Sequence, residues 1–306
     1  MAVTTQARGR RTVTLVLAIA AISTGAPFAR WAEPAPPIAI AALRVAVAAI
    51  GLLVIARSQL ASLARLGRRE RMLIALSGAL LAVHFGSWIA SLSFTSTAAS
   101  VALVCTSPIF AAVFGLALGD RVTRGELLGI VIAAAGCAVL AGGDWSTGGT
   151  ALIGDGLALV GAATAAGYLV VGRRLRDAMP LAPYLAAVNT IAAALLISAA
   201  VALGPPPTGL PSHSYIASAS AAIVASLIGH GLLNAAVRTT PTHLVALAVL
   251  GEPIGSSLIT WAVFGEQPPA HAALGGAIVV AGIAVGFVRR SSRTSSSNDL
   301  SPARPR

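Results

Sequence analysis

Two charged side chains lie inside long apolar runs of the sequence. Glu252 precedes Pro253 in the centre of the run 241–264, and Arg44 lies inside the run 37–56. A charge at the centre of a bilayer costs about 2.5–3.5 kcal/mol on insertion scales. Such groups are therefore candidates for binding a substrate or an ion, or for carrying a proton.

Each of these charges has several interpretations. Apolar surroundings favour the uncharged form of a carboxyl group, so Glu252 is a candidate proton carrier. Alternatively, a neutral Glu252 donates a hydrogen bond to a kinked backbone. Arg44 either extends to the membrane surface, pairs with Glu252, or holds the carboxylate or phosphate of a substrate.

Two prolines interrupt apolar runs near their centres. Pro108 and Pro253 lack a backbone donor, and each ring clashes with the carbonyl group four residues earlier, at Val104 and Val249. A freed carbonyl inside a membrane needs a partner, so such helices lie against protein or a wet cavity. The pair predicts a site near the membrane midplane, with an ordinary packing kink as the alternative for each proline.

The composition indicates a membrane protein. The 306 residues are 56% hydrophobic and 10% charged, with a mean hydropathy of +0.84, whereas soluble domains carry about 25% charged residues. The net charge of +11 comes from Arg residues clustered between the apolar runs, which is typical of topology signals and not of nucleic-acid binding. Cys105 and Cys137 lie inside apolar runs and are interpreted as small packing residues.

Ten apolar runs are candidate membrane helices, since a span needs about 20 residues. They cover residues 12–29, 37–56, 72–93, 97–118, 126–141, 151–172, 181–203, 214–237, 241–264 and 270–288. With both termini in the cytosol, nineteen of the 21 basic residues fall in cytosolic segments. Because cytosolic loops carry the excess of Arg and Lys, the sequence predicts this orientation.

The two halves of the chain follow one pattern. The stretches 84–120 and 230–266 each open with His, carry Pro in the next run, and close on Gly-Asp or Gly-Glu. Gly residues then follow at the same offsets of nine and sixteen, at Gly129 and Gly136 and at Gly275 and Gly282. Each half contains five runs, an odd number, so the second half enters the membrane from the opposite side.

The predicted fold is therefore an all-α integral membrane protein with ten transmembrane helices in two inverted five-helix repeats. The predicted segments are a cytosolic tail at 1–11, a first repeat at 12–141, an outer linker at 142–150, a second repeat at 151–288 and a disordered cytosolic tail at 289–306. Inverted repeats are typical of alternating-access transporters, whose sites lie where the repeats meet.

Two pairs of polar residues occupy matching places in the repeats. His84 and Trp88 are four residues apart, as are His230 and Asn234, so each pair shares one helix face. In an inverted repeat the two pairs flank the centre from opposite sides. The alternative is a buried histidine bonded to a serine or a backbone carbonyl. The counterpart of Glu252 in the first repeat is Ser107, which completes the predicted site.

The chain resembles the drug/metabolite transporter (DMT) superfamily, and within it the ten-helix EamA-like family, over residues 12–288. The resemblance lies in PPIAIAALR (36–44), HFGSWIASLSFTS (84–96), GDGLALVGAATAAGYLVVGRRLR (154–176), GHGLLNAAVR (229–238) and LGEPIGSSLITWAVFGE (250–266). Asp120 departs from the pattern, since the family usually has Glu after this glycine. The resemblance implies a multi-pass carrier of the cytoplasmic (inner) membrane, commonly an exporter of small metabolites.

The predicted function is a secondary transporter that exports an amino acid, another metabolite or a drug-like molecule by alternating access, with the proton as candidate coupling ion. One alternative is a membrane scaffold or partner protein that transports nothing. Another is an intramembrane enzyme, but the sequence has no HExxH or GxSxG motif. No catalytic residue, metal, cofactor or nucleic-acid partner is predicted; the partners are the substrate, protons and the lipid bilayer.

The predicted topology is testable by cysteine labelling. In a chain whose two native cysteines are replaced by alanine, Gly148→Cys should react with a membrane-impermeant maleimide added to intact cells. Ser296→Cys, in the predicted cytosolic tail, is the control and should react only after the membrane is opened. Labelling of Gly148→Cys only in opened cells would contradict the inverted arrangement.

Overall fold

A computed structural model describes residues 2–95, 97–119, 122–141, 150–175, 177–204, 207–265, 271 and 274–286. These ranges form helices joined by turns, and no strand occurs within them. Eight helical segments are long and apolar enough to cross a membrane by length and composition. The prediction of a helical membrane protein is thus confirmed. The fifth and tenth predicted spans are helical but are not among the eight, so the count of ten stays a prediction.

The described residues of the first half form seven α-helices. α1 and α2 share the first span, α3 and α4 form the second and third, and α5 and α6 share the fourth. Their bounds, with that of α7, are Ala2–Ile22, Gly25–Trp31, Pro37–Ala56, Arg68–Ser91, Thr97–Val104, Ser107–Ala117 and Arg124–Ala141. A short 3₁₀ turn, Leu60–Arg65, joins α3 to α4. α1 begins within the segment that the sequence predicts as a tail.

The second half begins with two uninterrupted spans, α8 (Thr150–Arg174) and α9 (Leu181–Leu203). The next span consists of α10, a π-helical turn and α11, and the one after it of α12 and α13. Their bounds are Ser212–Ala221, Ala222–His230, Gly231–Val237, Thr242–Val249 and Glu252–Phe264. The last described helix is α14 (Leu274–Gly286). Asp120, residues 142–149 and the predicted tail 289–306 lie outside the described residues.

Three spans are broken into two helices. α5 gives way to α6 at Cys105 and Thr106, and α12 to α13 at Leu250 and Gly251. In both cases Pro is the second residue of the new helix, where its missing N–H group costs no hydrogen bond. The two prolines therefore start new helices within their spans, which is a stronger interruption than a kink. The break between α1 and α2, at Ser23, is not predicted from the sequence.

The helices bury one side and expose large apolar residues on the other. α3 packs on α9, α4 on α8, α6 on α12, and α1 on the π-helical turn. Ile50, Val54, Leu152 and Val201 are among the apolar side chains that point away from the protein, each more than half exposed. Large apolar surfaces around a whole molecule are expected where lipid is the solvent.

α7 and α14 contact each other through glycines. A Cβ atom on Gly129 would lie 2.7 Å from the carbonyl oxygen of Gly282, and a Cβ atom on Gly136 would lie 2.8 Å from that of Gly275. Moving forward along α7 thus means moving backward along α14, so the two helices are antiparallel. Small residues at such contacts let two backbones approach closely, as in other membrane helix pairs.

Gly136→Ala should destabilise the protein by about 1–3 kcal/mol, because the added methyl group overlaps the backbone of α14. The new Cβ atom would lie 2.6 Å from the amide nitrogen of Val279. The measurement is the free energy of reversible unfolding in mixed micelles. Gly156→Ala in α8 is the matched control, since a Cβ atom there meets nothing within 4 Å. Equal stability of the two variants would contradict the close contact.

Candidate functional site

A cavity lies between the broken helices near the middle of the spans. Its polar lining consists of Arg44, His84, Trp88, Ser107, Tyr168, His230 and Glu252. Its apolar lining includes Ile22, Leu81, Val104, Leu169, Leu233 and Val249. The empty space in this central cavity is about 630 Å³, a figure that includes space open to the outside. Except for Asn234, every residue predicted for substrate binding or coupling lines it.

Glu252 and Ser107 occupy equivalent places in the cavity wall. Each is the first residue of the helix that follows a break, α13 for Glu252 and α6 for Ser107. Val104 and Val249, the last residues of α5 and α12, also line the cavity. The two interruptions predicted from the prolines therefore meet at one place. Both half-helix N-termini, which carry a partial positive charge, begin there.

Arg44 points into the protein. It is 2% exposed, and its Nε donates to the Ser226 hydroxyl oxygen over 2.9 Å. Its guanidinium carbon lies 4.7 Å from the ring centroid of Phe85 and 5.8 Å from that of Trp88. Its Nη1 has no hydrogen-bond partner in the described part of the chain. Of the three interpretations of Arg44, extension to the membrane surface does not fit this geometry.

His84 and Trp88 share a helix face, as the i, i+4 spacing predicts, and their rings stack with centroids 6.1 Å apart. The Nδ1 of His84 donates to the carbonyl oxygen of Gly161 over 2.9 Å, so its Nε2 is left as an acceptor. This is the backbone-bonded histidine of the alternative interpretation, yet the ring still lines the cavity. The Trp88 Nε1 is buried and has no partner within the described ranges.

His230 is the last residue of the π-helical turn. Its ring lies edge-on to those of His84 and Phe85, with centroids 6.4 Å and 5.6 Å away. The two predicted histidines thus meet at the centre. Asn234 behaves differently, since its side-chain amide donates back to the His230 carbonyl oxygen over 2.8 Å. π-helical turns are rare and often occur at functional sites.

A second, smaller cavity adjoins the first. It shares Leu81, Tyr168 and His230 with the central cavity and adds Asn189 and Ser226 to the polar lining. The Nδ2 of Asn189 donates to the Leu185 carbonyl oxygen over 2.9 Å. Polar groups therefore continue beyond His230 towards α9.

The break in the first span supports the wall that carries Glu252. The Ser23 hydroxyl group donates to the carbonyl oxygen of Glu252 over 3.3 Å, and Ser256 donates to that of Ser23 over 2.8 Å. A Cβ atom on Gly255 would overlap the Ser23 side chain. The bend at Ser23 thus brings α1 against the start of α13. Sequence reasoning missed this contact because no proline marks the break.

A buried carboxylate–imidazole pair was also missed. Glu126 Oε1 lies 3.4 Å from His243 Nε2, and both side chains are at most 4% exposed. Glu126 Oε2 also accepts from the Thr123 amide over 2.7 Å, while the Glu126 amide donates to the Thr123 hydroxyl. This is a capping box at the start of α7, and its Thr-x-x-Glu spacing is a readable signal. The pair ties α7 to the start of α12.

The remaining polar predictions concern cysteines and metals. Cys105 and Cys137 are buried free thiols, close enough to interact with each other. Within the described ranges, no group of three or more His, Cys, Asp or Glu side chains could hold a metal ion.

The chain matches one protein family and the fold of a solved structure. Residues 11–142 and 152–288 each match the EamA-like transporter family. A solved structure described only as "Crystal structure of protein" has the same fold, with a TM-score of 0.76 and 19% identity. The alignment covers 92% of this chain and 99% of that one. The comparison with curated proteins finds no match.

The Glu126–His243 contact should appear as a coupling energy. A double-mutant cycle uses Glu126→Gln, His243→Gln and the double variant. The double variant should lose at least about 0.5 kcal/mol less stability than the sum of the losses in the two single variants. Gln at 126 keeps the acceptor of the capping box, so the cycle isolates the contact with His243. Unfolding in mixed micelles gives the four stabilities. Additive losses would show that the contact contributes nothing.

Proposed function

The chain belongs to the EamA-like transporter family, and on this basis we propose that it is a secondary carrier working by alternating access. The family is a transporter family and not an enzymatic one, so a small-molecule substrate and a lipid bilayer are its implied partners. The proposed path of the substrate runs through the central cavity. The single observation that carries the proposal is the meeting of two half-helix N-termini, Arg44 and Glu252 in that cavity.

The glycine contacts support an inverted repeat. Gly129 corresponds to Gly275 in the repeat pattern, and Gly136 to Gly282. The contact of Gly129 with Gly282 therefore has its counterpart in the contact of Gly136 with Gly275. Such reciprocity is the property of a two-fold contact. The antiparallel course of α7 and α14 agrees with repeats of opposite orientation.

Hydrogen bonds on either side of the cavity suggest how it is closed. Along α4, Ser77 precedes the cavity residues and its hydroxyl lies 2.7 Å from that of Tyr184 on α9. Ser91 follows them and its hydroxyl lies 2.6 Å from that of Ser100 on α5. One helix thus carries a small polar contact at each end of the cavity. In the proposed cycle these contacts open in turn.

Features of the sequence support an orientation in the membrane and a direction of transport. The Arg distribution supports a multi-pass protein of the cytoplasmic (inner) membrane with both termini cytosolic. Resemblance to metabolite exporters supports net export. Glu252 supports coupling to protons, because a carboxyl group there exchanges its proton with whichever side the cavity faces. A purely structural protein would leave these polar groups without a use.

Glu252→Gln should abolish proton-driven accumulation and leave substrate exchange intact. Gln keeps the shape of a protonated carboxyl group and releases no proton, so binding and the conformational cycle survive while coupling is lost. The purified protein is reconstituted into proteoliposomes. The substrate comes from an untargeted metabolite comparison of cells with and without the gene. Uptake driven by a pH gradient and counterflow exchange are then measured side by side.

The control is Glu33→Gln, which changes an exposed carboxylate outside the cavity and should match the parent in both assays. Equal proton-driven rates in Glu252→Gln and the parent would reject the coupling role. Absence of any flux through the parent protein, with the top metabolites of the comparison, would reject the carrier itself.

A further inference from the structure

We infer that the central cavity binds organic anions that carry a carboxylate group, with Arg44 Nη1 and Trp88 Nε1 as the two donors to its oxygens. This inference rests on the proposed carrier function and names its substrate class. It starts from the two donors in the cavity wall that lack a partner in the described part of the chain.

Unpartnered donors are costly in a buried position. Arg44 is 2% and Trp88 is 4% exposed, so neither is solvated by bulk water. Burying an N–H group without an acceptor costs free energy, and more when the group is charged. Tyr184 and Ser77, which are equally buried, bond to each other. The cavity donors differ because their acceptor is expected to arrive with a ligand.

The number and charge of the donors define that ligand. One guanidinium N–H and one indole N–H match the two oxygens of a single carboxylate, and a bond from a cation to an anion is stronger than one to a neutral acceptor. A phosphate dianion would bring more charge than Arg44 balances. Among the described residues no carboxylate lies within 4 Å of the Arg44 guanidinium group, so Arg44 repels a cation while Glu252 is protonated.

The rest of the wall fits an apolar body. The rings of His84 and Trp88 stack, and the Trp88 ring faces the guanidinium group of Arg44. Leu81, Leu169 and Val249 complete the apolar surface beside them. A carboxylate attached to an aromatic or aliphatic group would thus place its charge at Arg44 and its body against these side chains.

The protonation state of Glu252 controls whether the cavity binds the anion. Glu252 shares the cavity lining with four titratable groups on other elements: Arg44 on α3, His84 on α4, Tyr168 on α8 and His230 at the end of the π-helical turn. Cys105, the residue after α5, is close enough to interact with it electrostatically. An ionised Glu252 in the same cavity would repel a carboxylate, whereas a protonated Glu252 leaves the positive charge of Arg44 to the substrate. Anion and proton therefore occupy the cavity together and move in the same direction, with net export where the outward substrate gradient exceeds the inward proton gradient. Anion binding strengthens as pH falls.

The test uses three probes with one ring and different charge: phenylacetate, phenylacetamide and phenethylamine. Binding to the purified full-length protein in lipid nanodiscs is measured by equilibrium titration. Phenylacetate should bind at least about tenfold more tightly than phenylacetamide, because one charge-assisted hydrogen bond contributes about this factor to the affinity. Arg44→Gln should remove this preference. Trp88→Phe, which keeps a ring and loses the N–H donor, should reduce it several-fold.

Trp261→Phe is the matched control, because Trp261 is exposed and lies outside the cavity; it should retain the preference of the parent. The parent should also bind phenylacetate more tightly as pH falls, and Glu252→Gln should bind it tightly at every pH. Tightest binding of the amide or the amine overturns the inference, as does binding of none of the probes. An unchanged preference in both Arg44→Gln and Trp88→Phe overturns it as well.

The binding assay separates this inference from the carrier proposal. Phenylacetate binding with the expected variant effects, together with no metabolite flux in proteoliposomes, would uphold the anion site and reject the carrier. Flux of amines, with no preference for carboxylates, would uphold the carrier and reject the anion site.

Discussion

Lipid supplies no hydrogen bonds, and this constraint governs where the protein can be irregular. A broken helix or a buried charge inside a membrane must find its partners within the protein or in a wet cavity. The breaks before Pro108 and Pro253 both end at the central cavity, and the break at Ser23 packs on the wall that carries Glu252. The broken helices, Arg44 and Glu252 are thus gathered in one place, while large apolar side chains point outward from the spans.

The polar side chains at the start of α7 and those of the central cavity differ in how their hydrogen-bonding groups are used. Glu126 uses one carboxylate oxygen for the cap of α7 and turns the other towards His243, so it serves to fix two helices. Arg44 bonds to Ser226 and rests on aromatic rings, and still keeps a donor for the cavity. A protein whose cavity donors were all paired internally would be more stable, but it would have no donor left to bind a ligand.

The sequence predicts the helical membrane fold and the two helix breaks at prolines. It does not predict the break at Ser23 or the π-helical turn. Pro108 and Pro253 mark their breaks because proline removes a backbone donor wherever it occurs. Ser23 has no such signal, and its break depends on a contact with α13, far away in sequence. The π-helical turn before His230 likewise has no marker among its apolar residues. The capping box predicts the start of α7, but nothing local indicates that Glu126 also meets His243.

The two repeats share a backbone pattern but differ in chemistry, and this difference has a consequence for transport. Glu252 corresponds to the neutral Ser107. Arg44 lies in the second predicted span of its repeat, and the second predicted span of the other repeat carries Asn189, whose amide bonds within its own helix. In an inverted repeat, a cavity open to one side is built like the cavity open to the other, with the repeats exchanged. Because only one repeat carries each charge, the two states of the proposed alternating-access cycle would present different surroundings to the same substrate. Its affinity should therefore differ between the two sides of the membrane, while the substrate and proton gradients still set the direction of net movement.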